Sequence, residues 1–160
     1  MAVGPNELPE IVLAALGPKM LELAASETAG AHPYFVPPEH TEFAREIMGP
    51  DALLYPEQMV VIEEDPDTAR SIARQHMKTY TALPNYANNL IRLGYEAGDI
   101  ENLSDNVVDA IIAWGTMDAI HARVQAHFDA GADHVCVQVL TEEPSQVPDG
   151  WRILAPVLMD

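Results

Sequence analysis

Basic residues are scarce in this chain: eight lysines and arginines stand against 25 aspartates and glutamates, a formal net charge of −17 over 160 residues. Such a chain repels phosphate backbones and anionic headgroups, and no basic stripe offsets the excess, so neither nucleic acid nor membrane is an expected partner. Cysteine is scarcer still. Cys136 stands alone, which excludes an intramolecular disulfide, and between Val135 and Val137 it reads as a buried, inert thiol suited to a reducing compartment. No apolar run reaches the ~18 residues that a membrane span needs, and no basic, apolar leader opens the sequence. The expectation is a cytoplasmic protein. What is present is ordinary for a globular domain, 48% hydrophobic and 21% charged residues, with length enough for one core and one domain over residues 1–160.

Apolar runs alternate with helical patterns. Ile11–Leu16, Ala31–Val36, Gln58–Glu63 and His134–Leu140 read as strands, the third as a strand buried on both faces. Helices are expected after Gly17, from Pro37-Pro38-Glu39 through about Met48, after Asp65-Pro66-Asp67 where Asp65 can cap, and after Gly115-Thr116. Residues 81–114 break the alternation with a mainly helical stretch that reads as an insertion. Strands separated by helices imply a parallel sheet with right-handed crossovers. The first and last strands carry no charges or bulges to protect an edge, so something is expected to cover them.

The most informative stretch is Ile11–Ala25, IVLAALGPKMLELAA, a strand, a tight turn and a helix start. Gly17 lets backbone approach a ligand, and Pro18 suits the first helical position. The N–H groups of Lys19, Met20 and Leu21 are then expected to point forward unpaired, with the positive end of the helix dipole behind them. Lys19 is a cation where the dipole disfavours one by roughly 0.3–1 kcal/mol; a bound phosphate would turn that into attraction. The alternative is an ordinary helix start with a solvated lysine.

Other polar residues give weaker signals. His121 and His127 lie six apart, off the spacing that puts two ligands on one helix face, and no HExxH or CxxC pattern occurs, so no metal is expected. Glu63, Glu64 and Asp65 follow the third strand, and Thr141 and Glu142 follow the fourth, at the strand ends where parallel barrels place their sites.

In this order, VLAALGPKMLELAA with Ala29-Gly30-Ala31-His32-Pro33, PEQMVVIEEDPDTARSIAR and GTMDAIHARVQAHFDAGADHVCVQV, the chain resembles the luciferase-like monooxygenase superfamily, in particular its branch of oxidoreductases that use the deazaflavin coenzyme F420. The resemblance implies an α/β fold, the C-terminal half of a (βα)₈ TIM barrel, since a whole barrel takes ~250 residues. It implies cofactor contacts at Leu16, Gly17, Pro18, Lys19 and Met20, with Ala31 and His32 close to the same region. It implies hydride transfer between F420 and a small organic substrate, with FMN as the alternative cofactor. The family's acid/base groups follow early strands that this chain does not contain, so no catalytic residue is named. A second copy or a second chain would complete the barrel; the alternative is a non-catalytic half-barrel acting as a dimeric binding module.

Overall fold

The computed structural model describes residues 9–159; residues 1–8 and 160, part of the expected single domain, lie outside the described residues. Along the chain, β1 (Val12–Leu13) leads to α1 (Pro18–Glu27), β2 (Gly30–Ala31) to α2 (Pro38–Met48), and β3 (Leu53–Leu54) runs on into β4 (Glu57–Val61). Four helices follow: α3 (Pro66–Thr81), α4 (Pro84–Arg92), α5 (Ala97–Asn102) and α6 (Asp105–Ile111). A short β5 (Ile112–Trp114), α7 (Met117–Asp129), β6 (Cys136–Leu140) and α8 (Val147–Leu158) end the fold. Proline occupies the first turn of α1 to α4, where it has no N–H to leave unpaired. Asp65 caps α3 as its sequence predicts, its side chain accepting the Thr68 N–H at 2.9 Å, and Thr116 caps α7.

All strand pairs are parallel. β3 and β4 are one strand bent at Tyr55–Pro56. On one edge the N–H groups of Leu53, Tyr55 and Glu57 donate to the carbonyls of Ala29, Ala31 and Pro33, each at 2.9 Å. On the other, the carbonyls of Leu54 and Pro56 accept from Asp133 and Cys136 at 3.0 and 2.9 Å. The order is therefore β1, β2, β3–β4, β6, the consecutive arc of a (βα)₈ barrel. The strands are shorter than the apolar runs suggest. β2 stops early because Pro33 has no N–H for the ladder and Phe35 turns into left-handed backbone at φ 61°. β5, not foreseen in the sequence, takes over the edge of β4 that β2 leaves.

Alternation along the strands divides the core into two faces. Ala15, Ala31 and Leu54 pack with Leu21, Ala24, Ala44 and Met48 under α1 and α2, while Val60 and Val139 pack with Ile120 and Leu154 under α7 and α8. Met59, Val61 and Leu140 point the other way, and Ala69, Ala73, Met77, Val107 and Ile111 of α3 and α6 cover them.

A buried polar chain ties the first face together. His127 Nε2 donates to Gln58 Oε1 at 3.1 Å, and His127 Nδ1 accepts from the Thr41 hydroxyl at 2.7 Å. Both ring nitrogens are engaged, and burial pushes the imidazole down to about 4. Thr41→Val keeps the shape but orphans Nδ1, and should cost ~1–3 kcal/mol in urea denaturation; an unchanged midpoint would show the hydroxyl to be dispensable.

Candidate functional site

The turn after β1 begins with Gly17 in extended backbone (φ −92°, ψ 160°) and Pro18 at the first helical position, with no side-chain cap. The Gly17 carbonyl accepts from both Met20 and Leu21 N–H at 3.0 Å. This corrects the sequence expectation of three free amides: the helix closes its own first turn, and among the described residues only the Lys19 N–H is left without a partner there. Lys19 itself is exposed.

The charge at this turn comes from elsewhere. α4 crosses in front of it, and Arg92 Nη2 lies 3.8 Å from where a Cβ on Gly17 would stand. Leu16, Gly17 and Met20 on one side, with Asn85, Asn88 and Arg92 on the other, line a cavity of about 350 Å³, within the range of ligand pockets. Among the described residues, Arg92 is the arginine that meets neither a carboxylate nor a backbone carbonyl. Arg45, Arg70, Arg74 and Arg152 all pair with aspartates, and Arg123 donates to the backbone carbonyls of Ala110 and Asp109. Arg92 donates Nη1 to Asn89 Oδ1 at 2.9 Å, which fixes the guanidinium, and no carboxylate meets it among the described residues. Two asparagines and a held guanidinium around one cavity suit a phosphate-like group.

Pro18 and Lys19 sit on the exposed rim of this turn rather than in the cavity wall. Ala31 is fully buried beneath α1 and α2. His32 lies beyond the strand's end, its Nδ1–H donating to the Tyr55 carbonyl at 2.6 Å; neither residue lines the cavity. Sequence reading missed Asn85, Asn88 and Arg92, whose nearness to Gly17 depends on how α4 folds back. The only available signal was a lone arginine beside three asparagines in the insertion.

Of the suspected strand-end residues, three converge, while Glu64 lines a separate cavity and Asp65 caps α3. Glu63, Thr141 and Glu142 share a cavity of about 420 Å³ with Thr68, Asp149 and Ile153, between the C-terminal ends of β4 and β6 and helix α8. Glu63 Oε1 accepts the Asp65 N–H at 2.9 Å, so part of its role is to shape the loop into α3.

A further buried carboxyl, Glu57, faces α3. It is 4% exposed; its Oε2 accepts the Phe35 N–H at 3.2 Å, and its Oε1 has no partner among the described residues. Burial pushes this carboxyl up to about 8. Nearby, the Tyr34 hydroxyl donates to Gln138 Oε1 at 2.6 Å and lies 3.0 Å from that of Tyr80, and the Phe35 ring stacks on Tyr80 at 5.1 Å.

Solved structures share this architecture. An F420-dependent secondary alcohol dehydrogenase in complex with an F420-acetone adduct superposes with a TM-score of 0.66 at 13% identity, covering 98% of this chain and 51% of that one. A coenzyme F420 dependent tetrahydromethanopterin reductase from Methanopyrus kandleri gives 0.54 at 17% identity, covering 81% and 44%, and an EDTA monooxygenase from Chelativorans sp. BNC1 gives 0.60 at 13%, covering 98% and 46%. The chain thus spans about half the length of the structures it resembles. No curated protein sequence matched it. Residues 2–134 match the sequence profile of the luciferase-like monooxygenases, and with the half-barrel arc this places the chain in the luciferase-like monooxygenase family.

Proposed function

We propose that this chain is the C-terminal half of a deazaflavin-dependent oxidoreductase of the cytoplasm, and that its contribution is to hold the phosphate-bearing part of the cofactor at the Gly17 turn. The observation that carries the reading is the Arg92 guanidinium over Gly17, met by no carboxylate among the described residues, at the C-terminal end of a barrel strand. Bound there, coenzyme F420 would supply hydride transfer to or from a small organic substrate. The chain's own part is binding and orientation: Asn89 holds Arg92, Arg92 faces the anion with Asn85 and Asn88 beside it, and Leu16 and Met20 give the cavity its apolar wall. The same residues would accept the phosphate of FMN. Arg92→Ala should weaken FMN binding at least about tenfold while leaving riboflavin, which lacks the phosphate, unchanged. Fluorescence titration of both ligands, with F420 alongside, reads this directly, and equal losses for both flavins would sink the assignment.

The other half of the barrel is supplied, on this reading, by a second copy or a second chain along the outer edges of β1 and β6, which bond no further strand among the described residues. A stand-alone binding module is favoured by one observation: Met59 and Val61 are already buried by the chain's own α3 and α6. Sedimentation equilibrium separates the two, since a monomer at all concentrations would remove the paired half-barrel.

A further inference from the structure

His40 of α2 is 0% exposed and does not line the Gly17 cavity, yet it holds the carbonyl from which the anion turn starts. Its Nε2 lies 2.9 Å from the Leu16 oxygen. A carbonyl can only accept, so Nε2 carries the proton and Nδ1 carries a lone pair. That Nδ1 is buried and has no partner among the described residues. A buried acceptor left unmet is a cost, and an amide side chain at this position could make the same bond to Leu16. Two groups on other elements lie within electrostatic reach of the ring. Burial holds His40 below its ordinary value, the bond to the Leu16 carbonyl works against that, and the positive charge of Arg92 on α4 adds to the lowering; His127 of α7 is hydrogen-bonded on both nitrogens. Glu39, next along α2, is exposed.

We propose that His40 is the positioning residue of the anion site, and that an oxyanion of the phosphate or sulfate class bound against Arg92 draws a proton from solvent onto His40 Nδ1. The inference rests on the reading of the Gly17 cavity as an anion site. Its logic is electrostatic. An anion that offsets Arg92 removes the repulsion opposing an imidazolium, and Nδ1 can take the proton while Nε2–H keeps its bond to Leu16. Binding and protonation then favour each other reciprocally. Anion affinity must rise as the pH falls, because the protonated site attracts the anion more strongly.

Sulfate is the probe, because its own charge does not change between pH 5.5 and 8. Calorimetric titration of the full chain should show sulfate binding tightening by about three- to tenfold from pH 8 to pH 5.5. In His40→Gln, whose amide can still donate to Leu16, affinity at pH 8 should stay within about twofold and the pH dependence should vanish. A pH dependence that persists in His40→Gln, or one absent from the unsubstituted chain while Arg92→Ala still abolishes binding, overturns the role of His40 and leaves the anion site standing. Sulfate binding that ignores Arg92→Ala, or no binding at all, overturns the anion site itself. Should His40→Gln fail to fold, the imidazole ¹⁵N signals of His40 in the unsubstituted chain decide: at pH 5.5, sulfate should move Nδ1 towards its protonated position, and an unmoved signal under saturating sulfate ends the proposal.

Discussion

Gly30→Ala is expected to unfold the chain. A Cβ at this position would stand 1.9 Å from the Leu53 carbonyl oxygen, 2.6 Å from its carbon and 2.8 Å from its Cα. All three are backbone atoms of the neighbouring strand, so no side-chain rotation relieves the clash. Relief would require β2 and β3 to separate, and the bonds lost would include Leu53 N–H to the Ala29 carbonyl and Tyr55 N–H to the Ala31 carbonyl. Beneath that ladder lie Ala31, Leu54 and Ala44, all fully buried in one apolar cluster. Overpacking usually costs ~1–3 kcal/mol where side chains can yield; against two strands of backbone the cost should exceed ~4 kcal/mol, a large part of a small domain's stability. Loss of the cooperative thermal transition by circular dichroism is the expected result. A variant melting within a few degrees of the parent would show that β2 and β3 do not approach so closely.

The second large effect is a gain. Glu57→Gln should stabilise the protein, and more so as the pH rises. The folded carboxyl binds its proton up to about pH 8, against 4.5 for the free side chain, because burial penalises the charge and only one hydrogen bond, from Phe35, favours it. A raised carboxyl contributes stability that is fully present below about 4.5 and drains away as the pH climbs to about 8, since over that window the unfolded chain ionises and the folded one does not. Each tenfold change in proton affinity is worth ~1.4 kcal/mol, so the glutamine variant should gain ~2–4 kcal/mol at pH 8 relative to its difference at pH 4.5. His127 works in the opposite sense, losing stability as the pH falls from 6.5 towards 4, but it is common to both proteins and cancels. Parallel stability-against-pH curves from urea denaturation would mean that Glu57 is solvated or paired in the folded state. A residue whose neutral analogue is more stable is costly to the fold, which marks the Glu57–Phe35 corner, with its left-handed backbone, as a place where something other than stability is served.

How much of this was legible depended on the range of the information. Proline at the first helical turn, the Asp65 and Thr116 caps and the apolar run of β4 are local signals, and the helices and strands they announce are found. The family and the half-barrel were legible because three segments in a fixed order carried them. Strand ends were not. Ala31–Val36 reads as one strand, yet only Gly30–Ala31 forms it, because the pattern does not reveal that Phe35 turns left-handed to meet a carboxylate 22 residues later. The anion turn was half visible. Gly17-Pro18 marked its place, but the cation came from Arg92, which only the return of α4 brings near, whereas the local candidate, Lys19, stays on the exposed rim. Glu57, just before the run Gln58–Glu63 that reads as the third strand, is the first residue of β4 and buried, because sequence shows polarity and not which face a side chain takes.

The bend at Tyr55–Pro56 also has a bearing on how the chain assembles. β3 finds its partner in β2, a short distance upstream, so that corner can form while the chain is still being made. β4 is different: the residues that satisfy its two edges, Ile112–Trp114 and Cys136–Leu140, are the far side of the helical segment and nearly the end of the chain. The strand at the centre of the core is therefore completed last, by long-range closures that are slow to find. Until then its apolar, open-edged sequence, Gln58 to Val61, is the segment most exposed to wrong pairing, and a chain cut before residue 136 would keep it so permanently.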